Sequence, residues 1–160
     1  MRNHMRVFQK VEDLRELEGH DIGRSEWCHI SQEMINSFAE LTNDRHWIHV
    51  DPVKAEQNSP FGCTIAHGYL LLSLTPGLMR EIFRIENVTF SINCGLDAVK
   101  FASPVKVGER IALKLRLVKV RRIRDAWHIL WHLSVINESE KLVCSADYKA
   151  IWSTMNSPEE

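Results

Sequence analysis

The hydrophobic pattern of the chain changes period near its middle: up to about residue 83 the apolar positions recur at helical spacing, and from Val88 onward they alternate. Ile30-Ser31 followed by Gln32, Glu33, Met34 and Ile35 predicts a helix start. Ser31 serves as N-cap, Glu33 lies in the positive first turn, and Ile30 staples to Ile35. The helix buries Ile35, Phe38, Ala39 and Thr42 and stops near Asn43. Asp51-Pro52 predicts a second start, because an Asp cap satisfies an orphan amide and proline at the first helical position supplies a fixed φ. That helix runs from Val53 to about Gln57 and ends at Asn58-Ser59-Pro60. From Ile65 to Phe83 the residues Tyr69, Leu70, Leu71, Leu72, Leu74, Leu78 and Met79 are apolar on nearly every face, so this helix must be wrapped by other structure. Pro76 and Gly77 are expected to bend or interrupt it.

Period two then takes over. Val88, Phe90 and Ile92 alternate with polar residues, as do Ile111, Leu113, Leu115 and Leu117 against Lys114 and Arg116. Trp127, Ile129, Trp131, Leu133 and Val135 alternate with His128, His132 and Ser134, and all of these segments read as half-buried strands. Arg121, Arg122, Arg124 and Asp125 form a charged hairpin turn, Asn137 to Glu140 form another, and a last strand spans Leu142 to Trp152 before a polar tail from about Ser153. A curled antiparallel sheet follows, with the all-apolar helix as the object it wraps. No repeat or low-complexity linker divides the chain, so residues 1–160 read as one unit with short flexible ends.

Composition narrows the function classes. A formal net charge of -1 provides no global field for nucleic acid or an anionic membrane, so any anionic ligand must be met locally. Cys28, Cys63, Cys94 and Cys144 lie far apart without a CxxC pair, which favours reduced thiols in the cytoplasm over a disulfide frame or a zinc site. The N-terminal MRNHMRVFQKVEDL has no apolar stretch able to act as a secretory core, and no run is long enough to span a membrane.

The densest polar cluster is Asn43-Asp44-Arg45-His46-Trp47-Ile48-His49-Val50-Asp51, on irregular backbone between two helices. Three readings of it stand side by side. In the first, Asn43 terminates a helix, Asp51 caps the next, and the histidines are loop residues. In the second, His46, His49 and Asp51 ligate a metal, a weak arrangement without a second cluster. In the third, Asp44 and His49 converge on one water as general acid and base. Downstream, Pro60 to Gly68 delivers a loop into the buried helix. Free amides at that start can bind a developing oxyanion, and Gly68, lacking a Cβ, either lets a ligand approach closely or permits tight packing of helix on sheet.

The stretch TNDRHWIHVDP followed by FGCTIAHGYLLLSL resembles the signature of MaoC-like dehydratases, the (R)-specific enoyl-CoA hydratases of the hot-dog superfamily, and especially its NodN-like branch. Gly95 to Phe101, with Ser103-Pro104-Val105 and Gly108, is similar to the family's later motif. The resemblance implies an α+β hot-dog fold: a curved antiparallel sheet wrapped around a long central apolar helix, in a homodimer or higher homo-oligomer with the thioester site at or near the interface. It implies that Asp44 and His49 hold the catalytic water and that the Gly68 amide binds the thioester carbonyl. His46, Trp47 and His67 become substrate-pocket residues, with neither metal nor cofactor required. His46 departs from the branch's usual Gln-Trp pair, and its imidazole is placed to hydrogen-bond the catalytic carboxylate or narrow the pocket. The implied reaction is reversible hydration of a trans-2-enoyl-CoA, or another acyl-carrier thioester, to an (R)-3-hydroxyacyl thioester. The alternatives are an acyl-CoA thioesterase and a non-catalytic acyl-thioester-binding subunit. For the nucleotide, Lys100, Lys106 and the Arg121 to Arg124 turn are the basic candidates.

Overall fold

A computed structural model describes residues 5–154. The Ser31 hydroxyl accepts the Met34 amide at 3.2 Å and opens α1 (Gln32–Thr42), which ends where Asn43 turns left-handed at φ 58°. Ile30, Ile35 and Ala39 are buried. Phe38 is only half-buried and Thr42 is exposed, its hydroxyl donating to the Phe38 carbonyl, so the apolar face is shorter than its spacing suggests. The segment read as irregular contains one helical turn, α2 (Trp47–Val50). Next, α3 (Pro52–Asn58) begins on Asp51, whose carboxylate accepts the Lys54 amide at 3.0 Å.

The long helix is α4 (Gly68–Ile82), and it runs through Pro76 and Gly77 without the expected interruption. Proline offers no amide to the carbonyl four residues earlier. The Thr75 hydroxyl donates to that Leu72 carbonyl instead, at 2.7 Å.

Ahead of α1 lie elements that the hydrophobic pattern did not mark: β1 (Arg6–Phe8), a 3₁₀ segment over Val11–Leu17, β2 (Asp21–Arg24) and β3 (Cys28–His29). After α4 come β4 (Phe83–Ile85), β5 (Val88–Phe101), β6 (Arg110–Ile123), β7 (Ala126–Asn137) and β8 (Leu142–Thr154). The main sheet has the order β2-β6-β7-β8-β5, with β3 also on β6, while β1 and β4 form a separate parallel pair.

This arrangement is α+β and hot-dog-like, but it corrects the expectation of a curved antiparallel sheet wrapped around a central helix. The main sheet is an open path with edges at β2 and β5, neither closed nor strongly curled, and the β1–β4 pair makes the strand pairing mixed. The helix packs one face only: Leu70, Leu71, Thr75, Leu78, Met79 and Ile82 are buried, whereas Tyr69 is 69% exposed. Tyr69, Ser73, Pro76, Gly77 and Arg80 recur at helical spacing and all face outward. That stripe of small, polar and amphipathic side chains tolerates solvent, so the helix needs no complete wrap.

The last strand forms as expected but buries Val143, Cys144, Ser145 and Ala146 in succession, whereas alternation in β6 and β7 fills the core, with Leu113, Leu115, Leu117, Trp131, Leu133 and Val135 buried. In β5 it does not. Among the described residues the strand pairs only with β8 and its other edge is open, and Phe90 and Ile92 are 54% and 53% exposed. Arg121 and Arg122 belong to β6, paired with His128 and Trp127, so the charged turn shrinks to Arg124-Asp125. Ser153 lies in β8 rather than in a tail, and residues 155–160 of the expected tail fall outside the described residues. Among the described residues no helix is long and apolar enough to cross a membrane.

Candidate active site

Three local devices bring the polar side chains of the 43–68 segment together. The left-handed turn at Asn43 ends α1 and leaves Asp44 at its mouth, with a side chain 58% exposed. One helical turn later, α2 presents His49, half-buried. The loop after α3 returns antiparallel to Lys106 at Ile65, which sets His67 and Gly68 at the start of α4.

The result is compact. One polar atom from each of Asp44, His49 and His67 lies within 4.8 Å of the others. A water that hydrogen-bonds two groups at about 2.8 Å each spans roughly 4.6 Å between them, so a carboxylate and an imidazole at this separation can share one.

His49 Nδ1 lies 2.7 Å from the Ile65 carbonyl. A carbonyl only accepts, so Nδ1 carries the hydrogen and Nε2 keeps a basic lone pair. Burial pushes the His49 imidazole below the ordinary histidine range. The hydrogen bond to Ile65 opposes that shift, His67 adds to it, Asp44 opposes it and His46 adds to it. The base is thus held in its unprotonated, proton-accepting form.

His67 is the most buried member, 3% exposed. Its Nε2 donates to the Asp44 backbone carbonyl at 2.9 Å, and its ring stacks on His49 with centroids 3.8 Å apart at 25°. The Asp44 carboxylate is 4.0 Å from the same nitrogen. Gln32, which sequence reasoning missed, braces the other side: its amide donates to the His49 carbonyl at 2.7 Å and accepts the Thr64 hydroxyl. A polar residue in the first turn of a helix gives no signal of that reach.

The other sequence candidates have settled positions. His46 is exposed and caps α2, its Nδ1 accepting the Ile48 amide at 3.4 Å, so it makes no hydrogen bond to the Asp44 carboxylate. Trp47 is half-buried under the Lys54 ammonium, 5.2 Å from the ring centre. Asp51 caps α3, which leaves the set His46, His49 and Asp51 unassembled. The set that does gather is Asp44, His49 and His67, in which the His67 nitrogen 4.0 Å from the carboxylate, Nε2, is already bound to the Asp44 carbonyl.

Gly68 is the first residue of α4, so its amide has no carbonyl within the helix. A Cβ at Gly68 would fall 2.9 Å from the Phe101 ring, which shows that close packing under Phe101 is one reason for glycine here. Tyr69 meets the same ring edge-on at 5.5 Å, and together they give the site an apolar rim. Lys106, opposite Ile65, is exposed beside the site, whereas the Arg124 turn sits at the far end of β6, roughly 40 Å along the strand.

The family model for the MaoC-like domain matches residues 14–138. The chain is 45% identical over 116 residues to 3-hydroxyacyl-thioester dehydratase Z of Mycobacterium tuberculosis, covering 72% of this chain and 76% of that protein. It is 46% identical over 94 residues to nodulation protein N of Rhizobium leguminosarum bv. viciae, 58% of each chain. Among solved structures, a protein described as a monoamine oxidase regulatory protein from Archaeoglobus fulgius superposes with a TM-score of 0.76 at 25% identity, over 94% of this chain and 97% of that one.

Proposed function

Because the chain belongs to the MaoC-like domain family, we propose that Asp44 and His49 are the acid-base pair of an enoyl-thioester hydratase, acting with the Gly68 amide. The reaction is reversible hydration of a 2-enoyl thioester to a 3-hydroxyacyl thioester. The observation that carries the assignment is His49 Nδ1 bound to the Ile65 carbonyl, which leaves Nε2 as the basic nitrogen of a ring that has one nitrogen within 4.8 Å of an Asp44 carboxylate oxygen.

In the forward direction His49 Nε2 takes a proton from water as its oxygen bonds to C3. The electron pair of the C2–C3 double bond moves toward the thioester oxygen. The Gly68 amide and the positive end of α4 stabilise the charge that builds there. As the carbonyl re-forms, C2 takes back one proton from the same Asp44–His49 pair. Both new bonds then form on one face, which gives syn addition and, by family resemblance, the (R) alcohol. One water is consumed.

The acyl chain needs an apolar path away from Gly68. A cavity of about 450 Å³ begins one turn along α4 and is lined by Leu72, Ser73, Thr75, Met79, Leu96 and Tyr148. Its lining suits a hydrocarbon tail.

The exposed β5 supports a homodimer. Phe90, Ile92, Leu96, Val99 and Phe101 are all between 38% and 54% exposed on a strand with a free edge, a state that monomers avoid. Phe101 belongs both to that surface and to the rim of the site, which supports a thioester entry near the joint. Sedimentation at micromolar concentration is expected to give twice the 18.6 kDa chain mass; a monomer would refute the pairing. The free thiols fit a reducing, cytoplasmic setting.

The test is a paired assay with crotonyl-CoA and butyryl-CoA. Hydration removes the enoyl absorbance without releasing thiol, and the saturated ester stays intact. Thiol release from butyryl-CoA would make the protein a thioesterase, and binding without any turnover would make it a carrier of acyl thioesters.

A further inference from the structure

We infer that His67 is the positioning residue of the site, a single buried side chain that sets the carboxylate, the imidazole and the helix-start amide relative to one another. This rests on the Asp44–His49 reading and adds to it a residue whose role lies behind the reacting atoms.

Asp44 has little else to hold it. It follows a left-handed residue, its side chain is exposed, and the hydrogen bond to its backbone comes from His67, 23 residues away. That bond pins the end of α1 to the start of α4. The same ring lies flat on His49 and, with the Ile65 carbonyl, fixes the plane in which Nε2 points. Phe38 also packs on this ring, 5.2 Å away and tilted by 55°, so the imidazole touches α1 as well as His49. Finally, His67 is the residue before Gly68, so any shift of its backbone moves the amide as well. Its Nδ1 is buried without a hydrogen-bond partner, an arrangement that costs stability and is not needed for packing. A leucine or phenylalanine would fill the space more cheaply, which points to the Nε2–H bond as the reason for histidine.

Misplacement of reacting groups by about 1 Å can cost on the order of 10²-fold in rate. His67→Phe keeps a ring for the stack and removes the donor. His67→Gln keeps an N–H donor and removes the ring. For His67→Phe, kcat is expected to fall roughly 10- to 100-fold with KM within about threefold of wild type. For His67→Gln, part of that kcat is expected to return. His49 is faced by Asp44, which favours its protonated form, and by His46 and His67, which disfavour it. Removing the His67 imidazole therefore raises the His49 pKa, and the acid limb of the pH–rate profile moves to higher pH in both variants. A purely structural role would lower the amount of folded enzyme without moving that limb.

Folded His67→Phe with wild-type kcat and acid limb would overturn the inference, as would a raised KM at unchanged kcat. Should His67→Phe fail to fold, His67→Gln decides, and an unmoved acid limb there is the overturning result. Asp44→Asn, assayed in parallel, separates the two levels. Full activity in that variant removes the underlying acid-base reading, whereas an inactive Asp44→Asn beside a wild-type-like His67→Phe removes only the positioning role.

Discussion

Replacing Asp44 with Asn, or His49 with Ala, is expected to lower kcat for enoyl-thioester hydration by about 10²- to 10⁴-fold, the usual contribution of a placed acid or base. Stability should barely change. The Asp44 side chain is mostly exposed, and neither of these side chains is part of the buried core, so their loss opens no core cavity. The two effects should not add: each group is useless without its partner, so the double variant is expected to be no slower than the worse single one. Wild-type enzyme should keep its rate below the ordinary histidine pKa of about 6.5. The sign follows from the environment: burial disfavours charge on His49, its pKa is lowered, and the neutral base persists to more acidic pH. A kcat profile measured from pH 4.5 to 9 checks both points. An acid limb above 6.5, or Asp44→Asn at wild-type rate, would contradict the assignment.

Trp131→Ala is expected to be the most costly single change to the fold, at about 3–5 kcal/mol in urea or thermal unfolding. Trp131 is fully buried on β7, between β6 and β8, with its ring 5.1 Å from Phe83 and 6.0 Å from Trp152. A tryptophan removes about 200 Å² from water, and at about 25 cal/mol per Å² that is on the order of 5 kcal/mol before the unfolded chain is allowed any compactness. Trp131→Phe should cost less, because it keeps most of the ring and discards an indole N–H that has no hydrogen-bond partner. Equal losses for the two variants would mean that the indole nitrogen, rather than packing, carries the stability.

How far the sequence could be read depended on the range of the interactions. Capping is local chemistry, so Ser31, Asn43, Asp51 and Pro52 mark their helices in the chain itself. Alternation located β6 and β7 because both their neighbours are present in the sheet. It misjudged β5, since a free edge looks the same in sequence as a covered one. It also misjudged α4: a count of leucines hides the Tyr69-Ser73-Pro76-Gly77-Arg80 stripe that turns to solvent. The strands before α1 were invisible for a different reason, as β2 and β3 are too short to show a period and exist only by pairing with β6. At the site, the Asp44–His49 pair was legible as one option among several. The roles of His67 and Gln32 were not, because each acts through a backbone carbonyl, and any residue type supplies one.

The one-sided packing of α4 also sets an order of events at the ribosome. Its buried face rests on strands of the main sheet, and β6, β7 and β8 all lie downstream, up to about 70 residues later. At roughly 5–20 residues per second, the helix waits on the order of ten seconds for these strands to emerge. Through that interval Leu70, Leu71, Leu78, Met79 and Ile82 have no downstream sheet to rest on, so the newborn chain is most open to chaperone capture between synthesis of its site and synthesis of the sheet that buries the helix behind it.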